Sequence, residues 1–345
     1  MLYKNMLIHN CDGVVKDEFT GEEKISRIPD QVRRALSPIG LKYSGYNTPG
    51  VEIRFRLLSE RAKLRIKIIY QEGATRDKKI FAVFHGSFQG ASHVILGEGE
   101  GIIEVERPEN LEVLKAIAER EKLPFSPEAV RIIAPGDCHF MILGVEGEVA
   151  PPERTDMPER TWLAYGSSIT QGGSSISPLE AYTSLAARKL KTDLINMGFG
   201  GSALLEAEMA DYLAQRRDWD FATLEMGINM TWDIEHGCMG DPELFRKRVD
   251  YFIPRIAKSH PDKWIFCMDI FTTKDDYTGG KQAEIYRSIV REKVQALDLP
   301  KLRYLSGTEL LHGADSLTVD LIHPSDYGMM ELSEALAGEL RRAIR

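Results

Sequence analysis

The hydrophobic pattern of this chain changes period near residue 150, and that change constrains its fold more than any other feature. Before it, Val51, Ile53, Phe55 and Leu57 alternate with Glu52, Arg54 and Arg56. Leu64, Ile66 and Ile68 likewise alternate with Lys63, Arg65 and Lys67. A period of two means half-buried strands, and the charged residues of these runs read as their solvated faces. Further strand-like runs at 80–84, 93–96, 102–105 and 138–145 are separated by turn residues such as Gly86-Ser87 and Pro135-Gly136-Asp137. One helical stretch, around 109–121, interrupts them. Many short strands of this kind predict an antiparallel β-sandwich, jelly-roll-like, over residues 1–150.

The polar, proline-rich stretch from Val149 to Pro158 marks the expected boundary. Beyond it, apolar runs at 161–165, 193–197, 221–226, 264–271 and 302–305 lack polar alternation, as strands covered on both faces do. Helical stretches separate them. Ser177-Pro178-Leu179-Glu180 reads as a capping box opening one helix, Asp241-Pro242 opens another with Pro254 bending its end, and Ser325 precedes the last. Strand and helix in alternation predict an α/β unit over 159–345. Its expected form is a doubly wound, flavodoxin-like sheet of five parallel strands with helices on both faces.

Composition narrows the function by exclusion. A formal charge of -8 disfavours nucleic acid, whose binding needs a concentrated basic surface. No apolar run approaches the ~18 residues of a membrane span. The four cysteines, Cys11, Cys138, Cys238 and Cys267, form no Cys-x-x-Cys pair, so neither a zinc knuckle nor a redox motif is expected. His236 and Cys238 lack the partners of a metal site, and neither metal nor cofactor is expected. Free thiols and an N-terminus without a leader pattern point to the cytoplasm. A homo-oligomer is compatible with all of this.

In an open parallel sheet, ligands bind beyond the carboxyl ends of the strands. Those ends carry Gly166-Ser167-Ser168-Ile169-Thr170, then Asn196-Met197-Gly198-Phe199-Gly200-Gly201, then Gly227-Ile228-Asn229, and finally Asp320-Leu321-Ile322-His323-Pro324. Acyl transfer needs a hydroxyl, a base, a group that holds the base, and donors for the oxyanion. These four loops offer all of them. The serine lacks the glycine two residues later that an α/β-hydrolase elbow requires, since Thr170 stands there.

The four blocks, in this order, resemble those of the SGNH (GDSL) hydrolases from about residue 160 to the C-terminus. The resemblance implies Ser168 as nucleophile, His323 as base and Asp320 as its orienting partner. It implies an oxyanion hole of the Ser168 N–H, the Gly201 N–H and the Asn229 side chain. Ser167 stands where the family more often has Asp, and Met230 follows Asn229 where Asp is frequent. The Gly-Ser-Ser-Ile-Thr block behind a β-rich region resembles the carbohydrate acetylesterase-like branch. Trp232, Asp233 and Asp269, close to these blocks, are candidate substrate contacts. The expected substrate is a small-molecule or oligosaccharide ester, with acetyl release from O-acetylated carbohydrates the leading reading. The alternatives are a short-chain esterase or lipase on other esters, and a carbohydrate-binding protein whose hydrolase half is inactive.

Overall fold

A computed structural model of the chain describes residues 1–69, 77–91, 93–231 and 240–344. The C-terminal half is built on five parallel strands: β1 (Thr161–Gly166), β2 (Asp193–Gly198), β3 (Phe221–Glu225), β4 (Trp264–Met268) and β5 (Leu302–Leu305). Their spatial order is β2-β1-β3-β4-β5, so the chain leaves β1 for one edge and then returns past it to the other. That reversal opens a crevice at the carboxyl ends of β1, β2 and β3.

Side chains of each strand divide between two cores. Leu163 and Tyr165 of β1 join Ile195, Met197, Leu224 and Cys267 under Phe245, Val249, Phe252 and Ile253 of α4 (Pro242–Ser259). Trp162 and Ala164 point the other way and meet Tyr182, Leu332, Leu336 and Leu340. The last three belong to α6 (Asp326–Ala343), whose N-cap Ser325 accepts from the Gly328 N–H. Helices on both faces explain why these strands are apolar throughout.

Of the two expected helix starts, one forms. Asp241 caps α4, accepting from the N–H groups of Glu243 and Leu244, and the helix runs through Pro254 to Ser259. The Ser177–Glu180 box opens no helix: the Ser177 hydroxyl is taken by the Glu180 carboxylate within a turn, and α2 (Tyr182–Leu190) starts after it.

The N-terminal half is an antiparallel β-sandwich. Its larger sheet includes the strands Met6–His9, Glu52–Leu57, Ala129–Ile133 and Lys79–His85, and its smaller one Gly99–Glu106, Arg61–Ile69 and His139–Glu146. Ile53 and Phe55 of the first meet Leu64, Ile66 and Phe140 of the second in one core. Gly99 and Gly101 lie within a strand. Cys138 and Cys267 are fully buried, and burial pushes both thiols up.

The charged alternation divides in an unexpected way. Lys63, Arg65 and Lys67 are partly or fully exposed, as a solvated face should be. Arg54 is not: it is 1% exposed and reaches out of the sandwich to Asp193, the first residue of β2, with Nη1–Oδ2 at 2.7 Å and Nη2–Oδ1 at 2.6 Å. Glu52 accepts from Arg54 and, through both oxygens, from Arg131. Arg56 pairs with the buried Asp156 of the connecting segment. The outer face of Glu52–Leu57 is therefore a polar seam between the two halves. Breaking one member of such a buried network costs about 3–5 kcal/mol, so the sandwich is fastened to the α/β half. No described helix is long and apolar enough to cross a membrane.

Candidate active site

The carboxyl end of β1 turns at once into α1 (Ser168–Gln171), a single turn. Ser167 is its N-cap: the hydroxyl accepts from the Ile169 N–H at 3.1 Å. Serine caps a helix as aspartate does, so the departure from the family pattern at this position leaves the turn intact. Ser168 is the first helical residue and is partly exposed. Gly166 has no alternative, because a Cβ there would strike the Thr170 hydroxyl and the Glu225 carboxylate.

The loop before α6 brings the other two groups. Leu317 bridges to Pro324, and the Thr318 N–H donates to the His323 carbonyl at 2.8 Å, closing a tight excursion. Asp320 organises it from within. Its Oδ1 accepts from the Thr318 hydroxyl and the N–H groups of Ile322 and His323 at 2.8, 2.8 and 2.9 Å. Its Oδ2 lies 2.7 Å from His323 Nδ1, and His323 Nε2 lies 2.7 Å from Ser168 Oγ. Partial burial opposes ionisation of Asp320, yet the His323 ring, those backbone N–H groups and Thr318 hold its carboxyl at about 2. An ionised Asp320 fixes the proton of His323 on Nδ1 and leaves Nε2 free to accept from the serine.

The expected donors belong to the loop after β2 and to the turn after β3. The loop after β2 is pinned on every side of Gly201. The Phe199 N–H donates to the Gly166 carbonyl, the Gly200 N–H to Gln171 Oε1, the Ser202 N–H to the Phe199 carbonyl and the Ala203 N–H to Asn229 Oδ1. The Gly201 N–H, in an exposed residue at φ +69°, donates to no described residue. Asn229 is 6% exposed, and with Oδ1 committed to Ala203 its Nδ2 is the donor left over. The structure thus gathers Ser168, His323, Asp320, Gly201 and Asn229 at one end of the sheet.

The candidate substrate contacts fare differently. Asp269 is fully buried; it accepts from the Tyr304 hydroxyl at 2.5 Å and the Gly307 N–H at 2.6 Å, and burial pushes its carboxyl up to about 6. It ties the ends of β4 and β5 together and offers nothing to a substrate. Trp232 and Asp233, like His236 and Cys238, lie outside the described residues. Among the described residues no group of three His, Cys, Asp or Glu could hold a metal ion.

Two further polar side chains hold the loops of the site. Glu225 ends β3 with 0% exposure, and its Oε2 accepts from the Ser167 N–H at 2.5 Å and the Thr170 hydroxyl at 3.1 Å. A carboxylate inside the apolar run 221–226 was its visible signal. Gln171 holds the Gly200 N–H and donates to the Gly136 carbonyl of the sandwich at 3.3 Å.

Glu206, just past the same loop, gives a pH prediction. Burial pushes its carboxyl up to about 7, against its own backbone N–H and the charge of Arg248. Its Oε2 has no partner among the described residues. A raised folded value means that the neutral acid is the favoured form. Its contribution to stability is complete below the unfolded value near ~4.3 and is lost as pH rises through about 7. Urea denaturation should show about 3 kcal/mol of stability lost to this group between pH 4.5 and 8. Glu206→Gln should remove that slope; an unaltered slope would assign it elsewhere.

Residues 159–341 match the GDSL-like lipase/acylhydrolase family. No curated protein sequence matches the chain. Several solved structures resemble it over nearly its whole length. A salicylyl-acyltransferase from a tetracycline biosynthetic pathway superposes with a TM-score of 0.77 at 18% identity, over 98% of this chain and 94% of that one. A candidate GDSL-like lipase from Bacteroides ovatus gives 0.69 at 18%, over 98% and 97%. A family two carbohydrate esterase from Cellvibrio japonicus gives 0.62 at 14%, over 99% and 95%. At these identities the likeness is one of fold, and it takes in the sandwich as well as the α/β half.

Proposed function

The chain belongs to the GDSL-like lipase/acylhydrolase family, and on that premise we propose that it removes acetyl groups from O-acetylated carbohydrates through an acyl-enzyme on Ser168. The broader statement, a carboxylic ester hydrolase, follows from the family. The observation that carries the serine mechanism is the unbroken chain Ser168 Oγ–His323 Nε2, His323 Nδ1–Asp320 Oδ2, each link 2.7 Å. The likeness of the whole chain to a carbohydrate esterase, sandwich included, supports the sugar ester.

The steps follow from the atoms present. His323 Nε2 takes the proton of Ser168 as its oxygen attacks the ester carbonyl. Negative charge gathers on the former carbonyl oxygen, where the Ser168 N–H, the Gly201 N–H and Asn229 Nδ2 are its donors. The tetrahedral species collapses, the C–O bond to the leaving alcohol breaks, and the imidazolium protonates that alcohol. Water, giving its proton to His323, then attacks the acyl-serine; the bond between the acyl carbon and Ser168 Oγ breaks, the imidazolium returns its proton to that oxygen, and acetate leaves.

The test is turnover of p-nitrophenyl acetate and its loss after a serine-directed phosphonate, followed by acetate release from acetylated oligosaccharides. Activity on octanoyl as well as acetyl esters would favour a lipase over the sugar deacetylase. Asn229→Ala should lower kcat by about 10²–10³-fold with little change in KM, because the donor is used in the transition state and not the ground state. Steady-state kinetics check it. One observation favours a second reading, transfer of the acyl group to an alcohol other than water: the salicylyl-acyltransferase superposes with a TM-score of 0.77. Appearance of an acylated alcohol when an acceptor is added would reveal it.

A further inference from the structure

Arg27 belongs to the N-terminal half, is 1% exposed, and has no carboxylate partner among the described residues. Its guanidinium donates instead to four backbone carbonyls. Two are local, Asn47 at 2.6 Å and Ser44 at 2.9 Å. The other two, Asn196 and Gly198, each at 2.9 Å, belong to the carboxyl end of β2. The guanidinium carbon lies 4.5 Å from the centre of the Phe199 ring. A buried cation without a counter-ion is costly, and burial pushes this one down to about 9. Closing the seam between the halves does not require that cost, because Arg54 and Asp193 already fasten it.

The segment Arg27 grips is the one that presents Gly201. Other N-terminal groups act on the same stretch. Asn10 Nδ2 donates to the Asn196 carbonyl at 2.9 Å, and the Ile39 side chain stands 3.5 Å from where a Cβ on Gly201 would lie. A planar fork with donors in fixed directions suits several carbonyls at once, and lysine cannot reproduce it.

We propose that Arg27 is a positioning residue for the oxyanion hole: it locks the carboxyl end of β2 and the Phe199 ring so that the Gly201 N–H stays aimed at the developing oxyanion. This rests on the serine ester hydrolase reading above. It makes the N-terminal half an obligatory part of the catalytic apparatus. The effect should fall on kcat, since a donor set for the transition state contributes little to substrate binding.

The test compares the full chain with Arg27→Lys on p-nitrophenyl acetate, with rates normalised to the serine titrated by a phosphonate. Arg27→Lys should lower kcat by about 10-fold or more, less than full loss of a donor, with KM within about threefold of the parent value. Arg27→Ala should regain several-fold of its lost kcat in dilute guanidinium chloride and none in sodium chloride. Should neither variant fold, Phe199→Leu is read instead: it keeps an apolar side chain and removes the ring on which the guanidinium lies, and kcat should fall with KM unchanged. A lower melting temperature with kcat per titrated serine unchanged overturns the proposal and leaves the hydrolase reading standing. A parent protein that neither turns over the ester nor takes up the phosphonate overturns both.

Discussion

Ser168→Ala is expected to lower kcat on p-nitrophenyl acetate by about 10⁶-fold, the scale set by removing a nucleophile that acts as a unit with its base. Ser168 Oγ is hydrogen-bonded to His323 Nε2, and the helix that carries it is capped by Ser167, not by Ser168 itself. Removing one partly exposed hydroxyl therefore takes nothing from the cap or from the core beneath. Stability should stay within about 0.5 kcal/mol of the parent, as for a surface substitution away from special features. The residual rate should still exceed that in water, because the Gly201 and Asn229 donors remain. Ester turnover by the purified variant within about 100-fold of the parent, far short of the loss expected for a nucleophile, would remove Ser168 from its role. A large fall in melting temperature would show that the hydroxyl also holds the fold.

Much of this architecture could be read from period and punctuation alone, because both are local. Trp162 and Leu163 show why: in a strand covered on both faces either neighbour must be apolar, and the sequence states that directly. The polar seam was not readable in the same way. Alternation in Glu52–Leu57 says that Glu52, Arg54 and Arg56 share a face, but not what covers it. The cover is Asp193, 139 residues beyond Arg54. Asp269 misled for a related reason. Its place after a strand end is shared by substrate-binding residues and by residues that tie neighbouring strands, and its partners Tyr304 and Gly307 come from a later strand and the turn after it.

The site divides along the same line. Ser168, Gly201, Asn229, Asp320 and His323 stand in short blocks, each set by the loop that follows one strand or precedes one helix. Their supports do not. Glu225 left a trace because a carboxylate in an apolar run is conspicuous. Arg27 left none: Ser26-Arg27-Ile28 resembles any edge strand, and its meaning comes from carbonyls 169 and 171 residues away. Residues that react are thus more legible than residues that hold them, since the first must sit at particular strand ends while the second need only reach there.

Asp320→Asn should be the second most damaging change, lowering kcat by about 10⁴-fold at neutral pH, the loss expected when the orienting carboxylate becomes an amide. The loop dictates which way the amide lies. Oδ1 accepts from three donors, the Thr318 hydroxyl and the N–H groups of Ile322 and His323. Only the amide oxygen can serve there, so the NH₂ must take the place of Oδ2, 2.7 Å from His323 Nδ1. Nδ1 then has to accept, the imidazole proton moves to Nε2, and Ser168 meets a donor where it needs an acceptor. The loop itself should persist, because its three internal hydrogen bonds are kept. KM should therefore change little while kcat collapses, and steady-state kinetics separate the two. In the parent the carboxyl is held at about 2, so the orienting charge is present throughout the neutral range and disappears only as pH falls towards that value. An Asp320→Asn variant with kcat within about tenfold of the parent, where the loss of the orienting carboxylate calls for about 10⁴, would mean that His323 keeps its working tautomer without help from Asp320.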